Sequence, residues 1–235
     1  METNTPEIIY DKDGNPHEIV DFNDDYTASK LGFWLFLFTE LMLFGAMFLV
    51  FAFFFYKMPD DFQIASGSLN ILLGGLNTFI LLLSTYFMGI ALIHLREKDI
   101  DKCKKSIYIT IALAFVFLVI KYIEWSIEIN HGIYPDSEIL NSKSNGEILF
   151  FGLYFTMTGF HGIHIIAGIA LMIWVLILIN KKIVNDKKYV ILENISLYWD
   201  LVHLVWVFLF PLFYIIGLGG WDEYWLTCNG FTNVL

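Results

Sequence analysis

The chain has 235 residues, 57% of them hydrophobic and 18% aromatic, and carries a formal net charge of −10. A soluble domain is roughly 45–50% apolar, so composition places this chain in a membrane, as one helical bundle rather than several domains. The acidic balance speaks against a nucleic-acid partner. Two cysteines, Cys103 and Cys228, cannot build a thiolate metal site.

In chain order, residues 1–29 hold eight carboxylates against one lysine and lack a signal-peptide core, so they read as a solvated acidic tail. The first apolar run, 31–56, contains a single ionisable residue, Glu40, within FTELMLFGAMF. A second run, 69–95, passes Asn77 and Thr78, and a third, 106–127, carries Lys121 and Glu124. The fourth, 148–179, contains LYFTMTGFHGIHIIAG, and the fifth, 191–218, contains YWDLVHLVWVFLF. Each reaches the ~20 residues a helix needs to cross a bilayer. Alternating barrel strands are absent, which leaves helices as the spanning solution.

Lysine and arginine set the orientation. The connection 96–105 holds five basic residues and 180–191 holds four, whereas 57–68 and 128–147 hold one each. The positive-inside rule puts the two basic loops in the cytoplasm. The expected fold is therefore all-α: an integral bundle of five transmembrane helices with N-terminus cytoplasmic and C-terminus outside. Its parts are a cytoplasmic tail (1–29), a membrane domain (30–220) and an external tail (221–235). Lys181 and Lys188 fall inside and Trp225 outside, with Trp221, Tyr224 and Trp225 as an outer aromatic belt. Cys103 and Cys228 then lie on opposite faces, which rules out a disulfide between them.

The polar residues inside these runs are the candidates for chemistry. His161 and His164 are three apart and share a helical face, and Gly159 and Gly162 beside them would let a neighbouring helix approach closely. Imidazole suits zinc, copper and iron, but no Glu-x-x-His motif of the di-iron bundles is present. Bonding to a neighbouring helix, or a place near the water interface, is the better reading of both histidines. Glu40 divides evenly between a proton relay and a hydrogen-bonded structural group. Lys121 and Glu124 suggest an internal ion pair near the helix end with the lysine snorkelling, and Glu128 one turn further on. Asp200 and His203, also three apart, could support a metal-bound histidine, neutralise each other, or reach across to another helix. No phosphate loop, nucleophile elbow or haem-attachment motif appears.

Together these segments carry a resemblance. LYFTMTGFHGIHIIAG resembles the hallmark helix of subunit III of the haem–copper oxidases, whose pattern is close to (A/T)TGxHGxHVxxG. YWDLVHLVWVFLF is similar to that family's YWHFVDVVWLFLF, and FTELMLFGAMF to its SEVxxFxGxF, which makes Glu40 the family's carbodiimide-reactive glutamate. Leu76, Asn77 and Thr78 match an LNT motif, and Glu124 falls where the family has a glutamate near the end of the third helix. The likeness runs from Leu31 to Gly219. It departs in two places: the two extra N-terminal helices of the seven-helix members are missing, with the lipid cleft they form, and the family's His-x-x-Asp is reversed as Asp200 and His203.

The resemblance implies a bacterial cytoplasmic-membrane subunit without haem or copper of its own. Those cofactors would lie in the catalytic subunit I and in subunit II, its partners alongside membrane phospholipids. Subunit III flanks the catalytic subunit of a respiratory oxidase, supports its proton uptake and protects it during turnover. A related reading is the accessory protein of a nitric oxide reductase. A reading of another class is a free-standing membrane metalloenzyme using His161, His164 and His203.

Overall fold

The computed structural model describes residues 8–10, 16–18, 22–135, 137–184 and 189–218. Trp221, Tyr224, Trp225, Cys228 and Lys188 lie outside the described residues, as does the external tail. Five helices are long and apolar enough to cross a membrane: α1 (Phe22–Lys57), α3 (Ile71–Arg96), α4 (Ile100–Asn130), α6 (Asn145–Asn180) and α7 (Val190–Phe210), the last continued by a π-helical turn, Pro211–Ile215, and a 3-10 turn, Ile216–Leu218. Two short helices absent from the sequence expectation occupy the connections, α2 (Pro59–Gly67) and α5 (Glu138–Asn141). The chain divides into two compact units after Glu40, within α1. In the first, strands β1 (Ile8–Tyr10) and β2 (Pro16–Glu18) pair antiparallel, with Ile9 opposite His17.

Polar caps fix where three of the helices start, and they carry α4 and α6 ahead of their apolar runs. Asp99 accepts from the Lys102 amide at 3.3 Å, so α4 begins six residues before Ser106. Lys102 also binds the Asp99 carboxylate at 2.6 Å, and this hydrogen bond holds Asp99 below its ordinary carboxylate range. Ser144 and Glu147 form a capping box at the start of α6, and Asn70 accepts from the amides of Leu72 and Leu73 in α3.

Within the second unit, α3 packs against α4 and α7, and α6 against α7 and α4. At one end phenylalanines fill the core. Phe51 of α1 meets Phe62 of α2 at 5.2 Å and Phe213 at 5.1 Å, and Phe150 of α6 meets Phe62 at 5.5 Å and Phe213 at 5.6 Å, all edge to face. Phe213 reaches this cluster because Pro211 has no N–H to continue the α-helical ladder, and the chain widens into a π-helical turn there. The Phe213 carbonyl accepts from Ser66 Oγ at 2.6 Å, and the Gly217 amide donates to that same oxygen at 2.9 Å. One hydroxyl therefore ties α2 to the end of the last span.

Candidate functional site: a buried ionic cluster and a histidine shelf

Lys121 and Glu124 form the expected ion pair, at 3.1 Å. The lysine does not snorkel, which corrects that part of the sequence reading: its residue is only 6% exposed. Its ammonium instead donates to Tyr154 Oη at 3.0 Å and Tyr214 Oη at 2.6 Å. Both phenols in turn donate to Glu124 Oε1, Tyr154 at 2.9 Å and Tyr214 through a shorter bond. A closed ring of four groups results, drawn from α4, α6 and the π-helical turn. Interior ion pairs are tolerated when further hydrogen bonds satisfy the remaining lone pairs and protons, and the two phenols do that here. Lys121 also lies 5.2 Å over the Trp206 ring. Gly74 of α3 makes room for the ring: a Cβ there would stand 2.9 Å from the Tyr214 side chain.

Toward the other end of α7 lies a second polar shelf. His203 Nε2 is 2.9 Å from Ser84 Oγ of α3, and His203 Nδ1 is 2.5 Å from its own helix's Trp199 carbonyl. Trp199 Nε1 donates to the same serine at 3.2 Å. Thr110 of α4 donates to the Ser84 carbonyl at 3.4 Å. The pairing of Asp200 with His203 is not formed. Three residues separate them on the helix, yet His203 turns inward to α3 while Asp200 lies on the exposed face. Of the alternatives open from sequence, His203 takes the reach to another helix.

The two histidines of α6 also part company. His161 is fully buried between the rings of Phe117 (5.7 Å) and Trp206 (5.1 Å). His164 is half-buried, with Nδ1 2.7 Å from the Phe160 carbonyl and its ring 5.1 Å from Phe44. His161, His164 and His203 thus sit in three different surroundings. Among the described residues no three His, Cys, Asp or Glu side chains come together as a metal site. Asn77 is fully buried, and neither its amide nor the His161 ring bonds to a described residue. Glu40 is half-buried on α1.

The glycine expectation needs correcting too. A Cβ at Gly162 would meet nothing within 4 Å, and one at Gly159 would make only an ordinary contact with Trp125 at 3.4 Å. The close approach is at Gly168, where a Cβ would stand 2.6 Å from the Trp199 ring. The motif's last glycine is the one that lets α7 in.

Sequence reasoning missed Tyr154, Tyr214 and Ser84. Tyr154 lies seven residues before His161 and Ser84 seven after Asn77, so each shares a face with a residue already singled out. Tyr214 carries no such signal, because its direction depends on the π-helical turn.

Residues 26–218 match the family described as cytochrome c oxidase subunit III. A probable quinol oxidase subunit 3 of Staphylococcus epidermidis is 30% identical over 190 residues, covering 81% of this chain and 90% of the relative. Counterparts from Staphylococcus haemolyticus and Staphylococcus aureus are 28% and 29% identical over the same length, with the same coverage. The chain belongs to the cytochrome c oxidase subunit III family of the haem–copper oxidases, as a multi-pass membrane protein with five spanning helices.

Proposed function

We propose that the chain is the non-redox accessory subunit of a respiratory terminal oxidase in the bacterial cytoplasmic membrane, seated beside subunits I and II. Haem and copper in those partners reduce oxygen to water and drive proton translocation. This chain stabilises the catalytic subunit and supports its proton uptake. The observation that carries the reading is the use made of the motif residues: Glu124 and His203 tie helices together inside the bundle. The relatives' names, probable quinol oxidase subunit 3, favour quinol as the electron donor of the complex. Affinity purification of the tagged chain from native membranes tests the reading. Co-elution of a haem-containing oxygen reductase is expected; elution alone, or with a nitric oxide reductase, would overturn it.

The basic loops are cytoplasmic, so a reporter fused after Lys181 should register inside and one at the C-terminus outside. The opposite pattern at the C-terminus would mean that the chain crosses an even number of times. Glu40→Gln keeps shape and hydrogen-bonding capacity while removing the titratable proton. The variant complex should assemble and transfer electrons at close to the unaltered rate, with loss of carbodiimide labelling and a changed lifetime during turnover. Abolished oxygen reduction in a fully assembled Gln variant would make Glu40 part of an obligatory proton path.

A further inference from the structure

We infer that the outward face of α7 around Asp200 is the seat of a neighbouring subunit's transmembrane helix, which supplies a basic side chain to this carboxylate; the inference rests on the chain's being one subunit of an oxidase complex. Depth is the first argument. Arg96, the last residue of α3, lies 3.6 Å from Glu193 in the first turn of α7 and stacks on Tyr189 at 4.8 Å. This group of charged and aromatic residues marks the boundary end of both helices. Asp200 stands seven residues beyond Glu193 along α7, roughly 10 Å deeper at 1.5 Å per residue. Its side chain has one methylene, far too short to return to that boundary, whereas long lysine and arginine side chains can do so.

Direction is the second argument. Asp200, Leu204 and Val207 recur at i, i+4 and i+7, all exposed, and so form one stripe on α7. The adjoining stripe, Trp199, Val202, His203 and Trp206, is buried in the bundle. The other deep charges are matched within the bundle, and Asp200 is not. Lys121 and Glu124 satisfy each other and two phenols. Asp200 forms no hydrogen bond or ion pair among the described residues. A carboxylate turned toward hydrocarbon is costly, and intramembrane acids are found facing protein or water and paired. Lipid headgroups stay at the boundary and cannot descend to this depth. A helix carrying arginine, lysine or protonated histidine supplies the missing charge, and Leu204 and Val207 supply apolar area around it.

The test uses the intact complex in its own membrane. A benzophenone amino acid is placed at Leu204 or Val207, and at the exposed Val116 of α4 as a control. Light should link positions 204 and 207 to another oxidase subunit. Asp200→Leu should lower the amount of chain retained through purification by at least about tenfold, as expected when one partner of a desolvated charge pair is truncated. Asp200→Glu should preserve retention. If Asp200→Leu fails to fold, the crosslinks made with Asp200 in place decide the matter. Adducts at 204 and 207 confined to lipid or to a second copy of the chain overturn the proposal, as does unaltered retention of a folded Asp200→Leu variant. A chain that co-purifies with the oxidase but links only through position 116 overturns this seat alone. A chain that co-purifies with no oxidase subunit overturns the functional reading itself.

Discussion

Exchange of Glu124 for leucine is expected to be among the most damaging single changes in the bundle, costing about 3–5 kcal/mol, the usual penalty for leaving one buried charge without its partner. In a chain of this size that corresponds to a fall of roughly 6–20 °C in unfolding temperature. Lys121, itself almost fully buried, would keep only two phenol oxygens as acceptors. Lys121→Met should be milder, because Glu124 would still accept from both Tyr154 and Tyr214. The double variant Lys121→Met/Glu124→Leu should recover most of the loss, since neutral side chains of similar volume often replace buried ion pairs without penalty. A thermal-unfolding cycle on the purified protein measures the coupling. Additive single effects would show that the two charges do not depend on each other.

The second large effect is steric. Gly168→Ala puts a methyl group 2.6 Å from the Trp199 ring, closer than real Cβ contacts come. Trp199 cannot yield easily, since it is fully buried, bonded through Nε1 to Ser84 and packed 4.8 Å from His203. Overpacking of this kind costs about 1–3 kcal/mol, and Gly168→Leu should prevent α7 from seating at all. Gly162→Ala is the control, with open space at its Cβ and an expected change near zero. Alanine forms helix better than glycine, so equal destabilisation by the two alanines would show that the Trp199 contact is not what governs this region.

The number and kind of spanning elements were legible from residues alone, because ~20-residue apolar runs leave few other structures open in a membrane. The Lys121–Glu124 pair was legible for the same reason as any i,i+3 pair: helical spacing alone brings the two together. Spacing misled at Asp200 and His203, because a helix has two sides and three residues turn about 60° around it. One side of that arc faced α3 and the other faced out. The glycines misled likewise. Proximity in sequence to His161 and His164 suggested Gly159 and Gly162, but a close approach needs a facing helix at that position, and it is at Gly168 that the Trp199 ring lies against α6. Tyr214 was beyond reach, since its inward direction follows from Pro211 and a change of helical pitch.

The closed ring around Lys121 also sets an order of events during synthesis. Tyr154 lies 33 residues after Lys121, and Tyr214 lies 93 residues after it. When α4 enters the bilayer, its lysine and glutamate have only each other. The first phenol arrives with α6, and the second with the last turn of the final span. The ion pair gains its full set of hydrogen bonds only when the turn after Pro211 brings Tyr214 inward. Completion of the last helix and full hydrogen bonding of the third helix's ion pair are therefore one event.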